Sequence, residues 1–106
     1  MMKEISGPEL KAKMDNGDDF QLIDVREDNE RAFTNIGGEH IPMGQIVVNI
    51  AKISRDKEVV IYCRSGGRSG QVITFLEANH GFSNLINLKG GVLAWSDQVD
   101  SSVKKY

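Results

Sequence analysis

The chain has 106 residues, 40% of them hydrophobic and 26% charged, with a formal net charge of −2 and one cysteine. This length suits one domain with a real core, and the lone cysteine excludes a disulfide framework or a Cys-rich zinc or iron–sulfur cluster. A single thiol fits a reducing compartment, so a cytoplasmic location is expected, and the net charge argues against broad binding of nucleic acid or an anionic bilayer. Lys3, Glu4, Glu9, Lys11 and Lys13 interrupt Met1–Met14, which leaves no apolar core for a secretory signal. Nowhere is there a run of ~18 apolar residues, so no membrane span is expected.

Ser6 and Glu9 have the spacing of a capping box, and Pro8 is tolerated in a first helical turn. Leu10 and Met14 then share a face, so a short helix ending near Asn16–Gly17 is predicted. Asp18–Asp19 reads as a turn, and Phe20–Val25 as an apolar strand with Asp24 near its end. The polar run Arg26–Arg31 starts a short helix reaching about Phe33, and Asn35–Gly38 is a loop. Ile46–Ile50 (IVVNI) is β-branched and reads as a second strand. Val59–Tyr62 (VVIY) is the clearest strand and suits a central parallel position.

Cys63-Arg64-Ser65-Gly66-Gly67-Arg68-Ser69 follows, and then a helical pattern runs to His80. Val72, Phe75, Leu76 and Asn79 trace an apolar stripe broadened by Ile73, and Gly81 stands at the left-handed stop position. Leu85–Leu88 reads as a last strand, Gly90–Gly91 as a turn and Val92–Gln98 as a closing helix. Strands alternating with helices predict an α/β domain with a largely parallel sheet.

A buried strand, a glycine-containing loop and a helix start together make an anion cradle, because the first helical N–H groups have no intrahelical acceptors. Gly66 and Gly67 would let the loop turn with its amides exposed. Cys63, facing those amides and the nearby Arg64 and Arg68, should lose its proton more readily than a free thiol. Two loop basic residues matter here because the charge is unevenly spread: five basic against nine acidic side chains in residues 1–31, and eight against six thereafter. Only four residues separate Cys63 from Arg68. The tyrosine-phosphatase loop is one residue longer, so this shorter ring suits one extra sulfur on the thiolate better than a phosphate.

These features together resemble the single-domain rhodaneses, of the thiosulfate sulfurtransferase type. The resemblance runs over about residues 6–98 within a single domain spanning residues 1–106. It is carried by Leu22-Ile23-Asp24-Val25-Arg26, by His40-Ile41-Pro42, by the loop Cys63–Arg68 with Ser69, and by Leu85–Trp95 (LINLKGGVLAW). It implies a three-layer α/β/α fold around a five-stranded, mainly parallel sheet. The middle segment departs from the pattern: Gly38-Glu39-His40-Ile41-Pro42-Met43-Gly44 stands where many rhodaneses read Gly-His-Ile-Pro-Gly-Ala.

The resemblance implies ping-pong sulfur transfer. Cys63 would be the catalytic nucleophile and carry a covalent persulfide, with no other cofactor. Arg64, Ser65, Gly66, Gly67 and Arg68 would bind the donor, Arg64 by attracting the anion and Arg68 by bracing the loop. The implied partners are a small anionic donor such as thiosulfate, and cyanide or an acceptor thiol, including one on a thioredoxin-like or other sulfur-acceptor protein. Neither nucleic acid nor membrane is implied as a partner. The alternative is a carrier that receives its sulfur from a partner protein. Asp24 and Arg26 are assigned to a structural rim rather than to chemistry. His40 and His80 have no ligands at metal-binding spacing, and Gly37–Gly38 starts no dinucleotide fingerprint. Trp95 is expected in the core.

Overall fold

The computed structural model describes residues 2–106. In chain order it contains β1 (Glu4–Ile5), α1 (Gly7–Asp15), β2 (Gln21–Asp24), α2 (Asp28–Phe33) and β3 (Glu39–His40). Then follow β4 (Val59–Tyr62), α3 (Gly67–His80), β5 (Leu85–Leu88) and α4 (Gly91–Gln98). All strand pairings are parallel, in the order β1-β5-β4-β2-β3. The helix starts and stops follow local chemistry. The Glu9 amide donates to Ser6 Oγ (3.2 Å) while the Ser6 amide donates to Glu9 Oε1 (3.0 Å), which fixes the start of α1. Gly81, at φ 68°, ends α3.

Side-chain alternation along the strands separates two cores. Val59, Ile61, Ile23 and Leu85 pack with Val72, Ile73 and Leu76 of α3 on one face. Val60, Tyr62, Ile86 and Leu88 pack with Leu10 of α1 and with Val92 and Trp95 of α4 on the other. The sheet is thus covered on both faces, and every residue of β2, β4 and β5 is buried. No helix among the described residues is long and apolar enough to cross a membrane.

Two expectations are corrected. Ile46–Ile50 is not a strand; it forms turns between 3-10 segments at Met43–Gln45 and Ile50–Lys52. Ile46 is buried and Ile50 packs beside it against the core at i, i+4 spacing, whereas Val47 and Val48 point outward. The edge position beside β2 is taken by Glu39–His40 instead, and the Ile41 and Met43 amides extend that pairing to the carbonyls of Asp24 and Val25 (both 2.9 Å). Phe75 also lies outside the buried stripe. The stripe runs through Ser69, Val72, Ile73 and Leu76, which leaves Phe75 41% exposed.

Candidate active site

The odd-numbered residues of β4 face α3, and Cys63 continues that parity beyond the strand end. Its side chain therefore points at the N-terminus of α3, with the thiol 1% exposed. The same alternation in β5 turns Asn87 to this face, while its neighbours Ile86 and Leu88 face the opposite core. A buried asparagine in an apolar strand needs partners, and it has them. Asn87 Nδ2 donates to the Gly66 carbonyl (3.1 Å), and its Oδ1 accepts from Ser69 Oγ (2.6 Å).

The peptide units of the loop are held with carbonyls outward. The Val92 and Leu93 amides, at the start of α4, donate to the carbonyls of Cys63 (3.0 Å) and Arg64 (3.1 Å). The Gly66 carbonyl accepts from Asn87 and from the Gly70 amide (3.1 Å). With those carbonyls engaged behind the loop, its amides turn toward Cys63, and Gly66 N–H donates to Sγ at 3.1 Å. Gly66 has φ 102°, a conformation that needs glycine. Gly67 does not: its φ is not positive and the space beside its Cα is open, so the expectation that both glycines serve the turn holds for Gly66 alone.

The Ser69 hydroxyl has one proton and two acceptors, Asn87 Oδ1 and Cys63 Sγ at 3.3 Å. When sulfur is protonated, the hydroxyl donates to Asn87; when it is a thiolate, the hydroxyl can turn to it. Burial pushes the Cys63 thiol up, but the Ser69 hydroxyl and the amides of Ser69, Gly66 and Ser65 outweigh it. The net effect holds the thiol below its ordinary value. Ser65 contributes through its amide, its side chain being exposed.

The two loop arginines have hydrogen-bond partners of their own, and the Arg68 charge also interacts with Cys63. Arg68 forms a two-pronged ion pair with Glu30 of α2, at 2.6 and 2.8 Å. Arg64 donates to the Tyr106 carbonyl and lies over the Tyr106 ring, 5.1 Å from its centre. The Tyr106 hydroxyl in turn donates to Glu30 Oε2 (2.6 Å) and accepts from Arg26 (2.9 Å). Asp24 and Arg26 are fully buried and paired: Nε and Nη2 of Arg26 reach the two carboxylate oxygens at 3.0 and 2.9 Å. Arg26 also binds the Thr34 carbonyl (2.7 Å), so this pair ties β2 to the loop after α2. His40 Nε2 lies 2.7 Å from the Arg26 carbonyl, and Trp95 is buried in the core.

Residues 6–98 match the family described as the rhodanese-like domain. The chain belongs to that family. Among its rhodanese relatives, a sulfurtransferase of Allochromatium vinosum is 36% identical over 97 residues, covering 91% of this chain and 90% of the relative. YtwF of Bacillus subtilis, named as a candidate sulfurtransferase, is 42% identical over 98 residues, covering 92% and 93%. The crystal structure of a rhodanese-like domain protein from Staphylococcus aureus superposes with a TM-score of 0.82 at 34% identity, over 99% of both chains. This rhodanese domain is of the sulfurtransferase type.

Sequence reading missed Glu30, Asn87, Tyr106 and the service of α4 to the loop. Two signals were present: an asparagine interrupting an apolar strand, and a double glycine before a helix. Glu30 and Tyr106 gave none, because each meets its partner only through the fold.

Proposed function

We propose that the protein moves sulfane sulfur from thiosulfate or another persulfide donor to cyanide or an acceptor thiol, through a persulfide on Cys63. The Cys63 thiolate attacks the outer sulfur of thiosulfate, a new S–S bond forms, and sulfite departs with the electron pair of the old one. The acceptor then attacks the outer sulfur of the persulfide and releases the Cys63 thiolate. Neither step needs a general base, because Cys63 is already biased toward its anion. The observation carrying this reading is the Cys63 sulfur, buried and met by inward amides: the persulfide anion would accept the same donors one atom further out. Arg64, Ser65, Gly66, Gly67 and Arg68 surround the path of the donor, with Asp24 and Arg26 holding the rim. We place the reaction in a reducing compartment such as the cytoplasm, with a thiol or thioredoxin-like protein as acceptor and no cofactor beyond the persulfide.

Receipt of sulfur from a partner protein is the second reading, favoured by the engagement of Arg64 with Tyr106, which occupies the arginine a small anion would use. Intact mass separates the two. Wild type incubated with thiosulfate should gain one sulfur atom, C63S should gain none, and cyanide should remove it as thiocyanate. Absence of the adduct with thiosulfate refutes the small-donor reading, and an adduct formed only from a protein persulfide establishes the carrier.

A further inference from the structure

The Glu30 carboxylate accepts four hydrogen bonds beside the cysteine loop. Oε1 accepts from Arg68 (2.6 Å) and from the Glu27 amide (3.1 Å); Oε2 accepts from Arg68 (2.8 Å) and from the Tyr106 hydroxyl (2.6 Å). Its side chain is 13% exposed. Arg68 above all holds its acidity strong, with a pKa of about 2, so it is ionised throughout the neutral range. One of the two loop charges is thereby cancelled beside the cradle, and the other, Arg64, already rests on Tyr106. The Tyr106 ring also meets Phe33 edge-on at 5.9 Å, and Phe33 is 53% exposed. Next to the carboxylate there is therefore an aromatic pair, Tyr106 and the half-exposed Phe33.

We propose that Glu30 is a specificity-determining residue: its carboxylate cancels the Arg68 charge and tunes the cradle toward donors bearing one negative charge or none, the organic persulfides, over the thiosulfate dianion. This rests on the sulfur-transfer reading above. The step it favours is balanced without any oxidant. The Cys63 thiolate attacks the outer sulfur of R–S–S–H, the Cys63–S bond forms and the R–S bond to that sulfur breaks. The thiolate R–S⁻ leaves with the electron pair and takes the proton, so Cys63 keeps the persulfide anion.

The test compares kcat/KM for thiosulfate with that for cysteine persulfide in wild type, E30Q and E30D, each checked by thermal melting. Removing one negative charge beside the donor path in a half-solvated site favours a dianion over a monoanion by on the order of five-fold. E30Q should therefore raise the thiosulfate-to-persulfide ratio about five-fold. E30D keeps the charge and should hold the ratio within about two-fold of wild type, whatever it does to the separate rates. An unchanged ratio in E30Q, or the same shift in E30D, overturns the proposal and leaves Glu30 as a brace for the loop. Should E30Q not fold, R68Q decides: it leaves the Glu30 charge unopposed and should lower the thiosulfate-to-persulfide ratio about five-fold, and an unchanged ratio overturns the proposal. If no donor loads Cys63, the sulfur-transfer reading fails and this one falls with it; if both load at an unaltered ratio, only the role of Glu30 fails.

Discussion

Replacing Gly91 with alanine should disarm the cysteine loop from behind. A Cβ at this position would lie 2.5 Å from the carbonyl oxygens of both Cys63 and Arg64, with φ at +57°. The obstructing atoms are backbone, so no rotamer change relieves the contact, and the loop and α4 must separate. Two hydrogen bonds, from the Val92 and Leu93 amides, go with that contact. At about 1 kcal/mol each, and with about 1–2 kcal/mol for alanine in left-handed backbone, the loss is about 3–4 kcal/mol. At about 4 °C per kcal/mol for a domain of this size, the melting temperature should fall by about 12–16 °C. The chain has one cysteine, so the pH dependence of iodoacetamide alkylation reads Cys63 alone. Its midpoint should rise toward that of an ordinary thiol as the amides cease to converge. A melting temperature within about 3 °C of wild type, with an unmoved midpoint, would refute the claim that α4 orients the loop.

Three further outcomes follow from the same geometry. S69A removes a donor to the thiolate worth about 1.5 kcal/mol, so alkylation at a fixed pH below the midpoint should slow about ten-fold; an unchanged rate would assign the Ser69 proton to Asn87 alone. N87L leaves Ser69 and the Gly66 carbonyl each short of a partner and should cost about 2 kcal/mol in urea unfolding, against no loss if the amide is incidental. Glu30 has a folded pKa of about 2, depressed by its bonds to Arg68 and others. Its stabilisation is therefore complete above its ordinary value of about 4.3 and is lost as the pH falls through the folded one. The gap in melting temperature between wild type and E30Q should narrow steadily from pH 4.5 down to about pH 2, and a constant gap would contradict the pairing.

What could be read from the sequence was local. The capping box, the apolar run of β4, the loop and the Gly81 stop each lie within a few residues, where propensity and periodicity act directly. Ile46–Ile50 misled because a β-branched run satisfies strand preference, yet Gly44 and Asn49 and the i, i+4 pair Ile46/Ile50 suit tight turns that bury one side. The polar framework around Cys63 was legible only in part. Asp24 and Arg26 are two residues apart and could be paired on paper, whereas Arg68 and Glu30 are 38 apart and Tyr106 and Glu30 are 76 apart. Those contacts exist because α2, α3 and the segment after α4 converge at one end of the sheet, and no local pattern encodes that convergence. The arginines beside Cys63 also carry long-range partners, Glu30 for Arg68 and Tyr106 for Arg64, that no local pattern announces.

The outward carbonyls of the loop have a consequence for timing. Their partners are the start of α4, a side chain of β5 and the first turn of α3, all of which are in place once the chain is folded. In water, a charge that moves from one atom to the next drags solvent dipoles with it, and that rearrangement forms much of the barrier. Here the dipoles facing the sulfur cannot relax, because their other ends are fastened to secondary structure. The work of orienting them was done during folding and is not repeated at each turnover. In the proposed sulfur transfer, a charge shifting outward from Cys63 would therefore find its solvation already built, with no closing motion required to supply it.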